Sequence, residues 1–271
     1  MDKIGSDAVF AGSVPELYDT HMVPLIFEPY AQDLARRVAA LKPARVLETA
    51  AGTGVVTRAL ARALPAGTEI IATDLNQAML DRAAAVGAQQ PVRWQQADAM
   101  QLPFDAASVD VVVCQFGAMF FPDRVAGYAE ARRVITPGGA LMFNVWAEVE
   151  RHSYERAFVQ ALRRVFPDDP PTFLETVPHG YADRARIEAD VRAAGFTDVA
   201  AETVEVSSGV TSIADLIVGY CEGTPVRGEI AARGDLAELT PRIVAEVESI
   251  LGPGPLTGTM AAHEIVASTS R

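Results

Sequence analysis

"VLETAAGTGVVTRAL", Val46 to Leu60, opens as a buried strand and closes as a helix, with Ala-Ala-Gly-Thr-Gly between the two. A carboxylate, Glu48, stands just ahead of these small residues. Backbone N–H groups point outward where a strand turns into a helix start, and the lack of side chains there lets a ligand approach the main chain. Gly52-Thr53-Gly54-Val55-Val56-Thr57 matches half of the dinucleotide fingerprint, with Thr57 where a third Gly or Ala belongs. A tight turn with no ligand is the plainer reading of this stretch taken alone.

Working outward, the pattern alternates strand and helix. Short apolar runs at Arg45–Glu48, Glu69–Asp74, Val92–Gln96 and Val109–Cys114 read as strands, and Ala140–Trp146 as a fifth. VDVVVC is nearly unbroken β-branched sequence, as in a parallel strand covered on both faces. Helical stretches at Gly54–Leu64, Asn76–Val86 and Asp123–Val134 lie between them, with Pro137-Gly138-Gly139 as the stop before the fifth strand. Repeated β-α-β units imply a doubly wound, mostly parallel α/β sheet with right-handed crossovers. Beyond it, Tyr154–Phe166 and Ala182–Ala194 read as helices and Val199–Val206 as a strand. Helices near Ser212–Tyr220 and Gly234–Leu251 precede a last strand at Met260–Ser268. One domain over residues 1–271 is expected: a helical cap over 1–41, a core over 42–146, and late strands with helical insertions over 147–271.

Asp74 ends the second strand, 20 residues beyond Gly54. An acid at that distance on the adjacent strand reaches ribose hydroxyls. Its plain alternative is a helix N-cap ahead of NQAML, a job that Asp or Asn performs. Glu48 at the end of strand one and Asp98 in the loop after strand three add two more acids. Together they suit a cofactor with an amine and an adenine, whereas a pyrophosphate is disfavoured so close to Glu48.

VLETAAGTG, ATDLNQAML, QADAMQLPFDAASVDVVVCQFGAMFFPD and ITPGGALMFNVW, in this order and spacing, resemble the class I S-adenosylmethionine-dependent methyltransferases. The likeness is greatest to the small-molecule branch around the ubiquinone and menaquinone biosynthesis enzymes, strong over Tyr18–Trp146 and weaker beyond. It implies a seven-stranded Rossmann-like sheet, S-adenosylmethionine as cofactor, and methyl transfer to a small molecule that leaves S-adenosylhomocysteine. It implies roles as well. Glu48 reaches the methionine amine, and Ala50, Ala51, Gly52 and Gly54 form the turn under the methionine and ribose. Ala50 stands where the family usually has Gly. Asp74 takes the ribose hydroxyls, while Leu75 and Met79 pack on the adenine. Asp98 accepts from the adenine amine, the Ala99 N–H donates to the ring, and the Gln115 carbonyl faces the methionine amine. Tyr18 belongs to the same cofactor-binding set. Leu75 and Met79 as core, and Asp98 as a turn former, are the plainer alternatives.

No acceptor-binding residue is fixed by these motifs. His152 and His179 flank the first helical insertion and are the candidates for a general base; His263 in the last strand and Cys114 in the fourth read as structural. The residues before strand one and the fifty between Val206 and Met260 are candidate lids, since long insertions in compact domains commonly cover sites. No His, Cys or acidic motif points to a metal. Two rival functions are a non-catalytic S-adenosylmethionine-binding regulatory module and an NAD-dependent oxidoreductase.

Composition narrows the partners. The 271 residues carry 23 basic and 35 acidic side chains, a formal charge of −12. Nucleic-acid affinity rests on Lys and Arg neutralising phosphates, so DNA and RNA are disfavoured. There is no 18-residue apolar run and no leader-like start in MDKIGSDAVFAGS, and the two cysteines, Cys114 and Cys221, build no disulfide framework. A cytoplasmic protein is expected.

Overall fold

The computed structural model describes residues 26–268. Tyr18, with most of the expected N-terminal cap, lies outside them. The described chain starts with α1 (Glu28–Ala40) and runs through β1 (Arg45–Glu48), α2 (Val55–Ala63), β2 (Glu69–Asp74), α3 (Gln77–Val86) and β3 (Val92–Gln96). Next come β4 (Val109–Gln115), α4 (Arg124–Val134), β5 (Ile135–Trp146) and α5 (Ser153–Val165). Then follow the short α6 (Phe173–Thr176), α7 (Arg184–Ala193), β6 (Asp198–Val210), α8 (Ile213–Gly223), α9 (Val226–Ala231), α10 (Leu236–Leu251) and β7 (Leu256–Ser268).

Seven strands form one sheet in the order β3-β2-β1-β4-β5-β7-β6. The five central and leading strands are parallel, and β7 is antiparallel to both β5 and β6. Successive strand residues point to opposite faces. Val46, Ile70, Val111, Val113 and Met142 therefore bury one way against Leu34 and Val38 of α1 and Val56 and Leu60 of α2. Their neighbours Leu47, Ile71, Val112, Leu141 and Phe143 bury the other way, in a second core with Tyr128 and Val134 of α4. With each buried Val or Leu worth about 1.5–3 kcal/mol, both faces must be covered, and this is why the strands lack polar alternation.

Three boundaries differ from the sequence expectation. β5 starts at Ile135, not Ala140: Ile135 pairs with Val109, and Pro137-Gly138-Gly139 is absorbed as an irregularity before Ala140 pairs with Val111. The N-cap of α3 is Asn76, whose side chain accepts from the Ala78 and Met79 N–H groups, so Asp74 is released from that job. The late strands are also longer than expected. β6 and β7 pair continuously from Asp198↔Ser268 to Val210↔Leu256. Trp146, the last residue of β5, faces Ala262, so the hairpin runs on past the carboxyl end of the parallel strands. The helices α8, α9 and α10 are carried at that overhang, and Tyr154 of α5 ties in by donating to the Ser208 carbonyl at 2.7 Å.

Candidate functional site

The carboxyl ends of the parallel strands hold nearly every described residue singled out above. The turn after β1 is pinned on both sides: Thr49 N–H donates to the Val113 carbonyl and Ala51 N–H to the Thr73 carbonyl, each at 2.9 Å. Gly52 (φ +55°) and Gly54 (φ +84°) adopt the left-handed conformation that glycine tolerates best. They differ in surroundings. A Cβ on Gly54 would lie 3.1 Å from both the Ala83 Cβ and the Trp94 ring, whereas one on Gly52 would meet nothing within 4 Å. Gly54 thus serves packing, and Gly52 leaves open space over the turn. Gly54→Ala should cost about 1–3 kcal/mol of stability from backbone strain and overpacking. Denaturant unfolding checks this, and an unchanged midpoint would contradict it.

Ala50 also has a positive φ, +53°, and so carries strain that its Gly counterpart avoids. Its methyl is accommodated by Gly117 across the turn, where an added Cβ would sit 2.4 Å from the Ala50 Cβ. Phe116, directly after β4, is left-handed as well at φ +51°. Two strained non-glycine residues at one edge fit a functional site, where such strain is commonly stored.

Glu48 and Asp74 are both withdrawn from water beside this turn. Glu48 is 2% exposed and accepts a 2.6 Å bond from the Thr57 hydroxyl. Burial pushes its carboxyl up to about 8, with the charge of Asp74 adding to the effect and the Thr57 bond opposing it. Thr57 therefore replaces the fingerprint's third small residue with a partner for the acid, a role the sequence reading missed. Asp74 accepts from the Gly52 and Asn76 N–H groups, one on each oxygen, both at 2.8 Å. Burial raises its carboxyl too, against the opposing bonds from Asn76 and Gly52. Next to it Leu75 is 45% exposed, a large apolar side chain left in solvent at the site, while Met79 is buried.

Asp98 is partly buried and accepts from the Met100 N–H at 2.8 Å, so it does form the turn. Ala99 lines a pinhole cavity of about 10 Å³ with Thr49 and Cys114, room for one water at most. The larger depression, about 420 Å³ between the starts of β2 and β3, lies at the opposite edge of the sheet. Gln115 ends β4, its side-chain amide donating to the Phe27 carbonyl at 3.1 Å. Its side-chain oxygen takes a long contact of 3.4 Å from Asn144, which also donates to buried Glu264. Cys114 is buried, and burial pushes its thiol up to about 11, in keeping with a core residue. His263 is held between the Ala182 carbonyl at 2.8 Å and the Thr203 hydroxyl at 3.0 Å, as a structural residue should be.

His152 and His179, far apart in sequence, meet with ring centroids 4.6 Å apart. Both are buried, and burial pushes both imidazoles down to about 4. Trp146 contacts both rings and stacks on Phe116 at 3.6 Å, with Tyr30 edge-on to the pair. The sequence reading missed Trp146 in this wall and Glu155, although the i, i+3 spacing of His152 and Glu155 was the available signal.

A doubly wound sheet with an antiparallel seventh strand between β5 and β6, and an acid at the end of each of β1 and β2 around a glycine turn, defines a class I methyltransferase. The comparisons agree. A family profile described as a methyltransferase domain matches residues 47–143. A demethylmenaquinone methyltransferase of Deinococcus radiodurans is 41% identical over 110 residues, 40% of this chain and 45% of that one. One from Mycolicibacterium vanbaalenii is 31% identical over 164 residues, 57% of this chain and 69% of that one. The crystal structure of the YcgJ protein of Bacillus subtilis shares the fold at a TM-score of 0.57 and 19% identity, over 90% of this chain and 99% of that one. The match thus spans less than half the length of the Deinococcus relative. The chain belongs to the class I S-adenosylmethionine-dependent methyltransferases, a family whose cofactor is S-adenosylmethionine. No helix among the described residues is long and apolar enough to cross a membrane.

Proposed function

We propose that this protein, as one domain, transfers the methyl group of S-adenosylmethionine to a small-molecule acceptor and releases S-adenosylhomocysteine. The observation that carries the reading is the pair of carboxyls, Glu48 buried and Asp74 half-buried, flanking open space over Gly52, with Leu75 bare beside them. Those residues fit the cofactor by chemistry. Glu48 suits the methionine ammonium, Asp74 the two ribose hydroxyls, and Leu75 with Met79 the flat adenine. Asp98 keeps a second carboxylate oxygen for the adenine amine, and Ala99 supplies an N–H to the ring. The Gln115 carbonyl completes the contact with the methionine amine, and Ala50, Ala51 and Gly54 hold the turn. Tyr18 is proposed for the same set on the resemblance alone. When bound, the cofactor supplies a methyl already activated by positive sulfur. The chain's task is therefore to hold the reactants in line and exclude water. The overhanging hairpin with α8–α10 lies at the right edge of the sheet to form the wall over the acceptor.

The relatives' names and the aromatic residues at the site favour a planar, ring-bearing acceptor. A screen of hydroxylated aromatic compounds with radiolabelled cofactor tests the reading. Label transfer supports an enzyme; cofactor binding without transfer to any acceptor would support the regulatory module, and tighter binding of NADH than of S-adenosylhomocysteine would support the oxidoreductase. We infer a cytoplasmic protein with no nucleic-acid substrate. With 12 more acids than bases, it should bind generic DNA or RNA no more tightly than an acidic control protein in a low-salt gel shift. Salt-sensitive retention would reverse that choice.

A further inference from the structure

Resting on the methyl-transfer reading, we propose that His152 accepts the proton of a ring hydroxyl on the acceptor, and that Glu155 and Tyr220 position it. His152 is 0% exposed, and neither of its ring nitrogens makes a hydrogen bond of ordinary geometry, though the Ala261 and Ala147 backbone carbonyls act on the ring. An unmade bond at a buried polar group costs about 1–3 kcal/mol, so a structural histidine here is a poor bargain beside His263, which has both nitrogens engaged. Two further orphan oxygens are Glu155 Oε2, 3.8 Å from His152 Nδ1, and the hydroxyl of Tyr30, whose ring meets Trp146 edge-on as His152 does. Four unsatisfied polar atoms on residues grouped around Trp146 call for a polar ligand.

The arrangement around His152 is directional. Its Nδ1 faces Glu155 Oε2 at 3.8 Å, too long for a hydrogen bond. Glu155 is held from behind by the Tyr220 hydroxyl, which donates to Oε1 at 2.6 Å. With the Nδ1 proton turned to Glu155, Nε2 is left with a lone pair. His179 places its Nδ1 2.7 Å from the Ala147 carbonyl, which fixes its proton there, and it packs edge-on to His152 as a neutral ring. The charged groups acting on His152 from outside are Arg151, already paired with Glu205, and Glu148. With Arg151, the cation that acts on His152 among the described residues, already paired, the pocket favours a neutral hydroxyl over a carboxylate or phosphate. Burial keeps both imidazoles unprotonated at neutral pH, the form a base requires.

The step balances. The acceptor O–H bond breaks, its proton moves to His152 Nε2, and its electron pair stays on the acceptor. That pair forms the new bond from the acceptor oxygen to the methyl carbon. The former carbon–sulfur pair remains on sulfur, and the imidazolium faces Glu155 until the proton leaves to water.

Three measurements decide this. Calorimetry with S-adenosylhomocysteine on wild type and His152→Asn comes first: loss of binding in wild type would sink the methyl-transfer reading itself, while equal binding in both isolates the acceptor step. Second, 1-naphthol added to the S-adenosylhomocysteine-loaded protein should shift the ¹⁵N resonances of His152. Unmoved resonances overturn the proposal even if no acceptor turns over. Third, the rate with 1,4-naphthohydroquinone should be flat between pH 6 and 9 in wild type. In His152→Asn it should fall about 100-fold or more at pH 7 and climb about tenfold per pH unit, as hydroxide replaces the base. Tyr220→Phe, which keeps the ring and removes the bond to Glu155, covers the case of a misfolded Asn variant and should lower kcat with little change in KM. A flat profile in both variants, or a rate in them equal to wild type, overturns the assignment.

Discussion

Replacing Asp74 by alanine is expected to weaken S-adenosylhomocysteine binding by about 100-fold or more. A carboxylate that takes a charge-assisted hydrogen bond from each ribose hydroxyl contributes about 1.5–3 kcal/mol per bond. Losing both removes more than the 2.7 kcal/mol that corresponds to 100-fold, even after the relief of unburying an acid. A second loss adds to it. The same oxygens hold the Gly52 and Asn76 N–H groups, so the alanine variant also loosens the turn and the start of α3. Asp74→Asn separates the two effects, since the amide oxygen keeps an acceptor for one N–H while the charge is gone. Calorimetric titration of the three proteins, with unfolding midpoints to check the fold, gives the answer. An unchanged dissociation constant in Asp74→Ala would remove the ribose assignment.

The two halves of the chain were not equally legible before the structure. In β1, β2 and β4, burial on both faces forces continuous apolar sequence, so the run itself marks the strand. The glycine turn and the place of Asp74 at the end of β2 were legible for a related reason: each has one backbone or spacing requirement that few residues satisfy. Thr57 was misread as a missing glycine because a fingerprint records what is tolerated and says nothing of a partner nine residues away. The extent of β6 was hidden because it is an edge strand. Its exposed alternation from Asp198 to Val210 is weakly patterned, and only pairing with β7 reveals how far it runs. The His152, Glu155, His179 and Tyr220 cluster was the least legible. Its members come from α5 and the residue before it, the loop after α6, and α8, and no local period links elements that meet only in the folded core.

Cofactor affinity should rise with pH, and Glu48 is the reason. In the free protein burial holds its carboxyl at about 8, so at pH 6 it is protonated and cannot pair with an ammonium. Binding the methionine ammonium stabilises the charged form and drives the proton off. For one such group, affinity falls about tenfold for each pH unit below 8, reaching roughly 100-fold at pH 6 relative to the plateau. About one proton should be released per ligand at pH 6–7, readable from calorimetry in buffers of different ionisation enthalpy. The sign for stability is opposite. The folded value lies above the ordinary carboxylate value, so this group's contribution is greatest in acid and is lost as pH rises from about 4.3 through 8. Glu48→Gln should therefore make the free protein more resistant to unfolding at pH 8, provided the amide keeps the bond from Thr57. It should also weaken S-adenosylhomocysteine by about 10–100-fold at that pH, since a charged partner is worth about 1.5–3 kcal/mol. Its remaining pH dependence should shrink to whatever Asp74 contributes. Wild-type affinity that is level from pH 6 to 8, with no proton released, would mean that Glu48 does not face the ammonium.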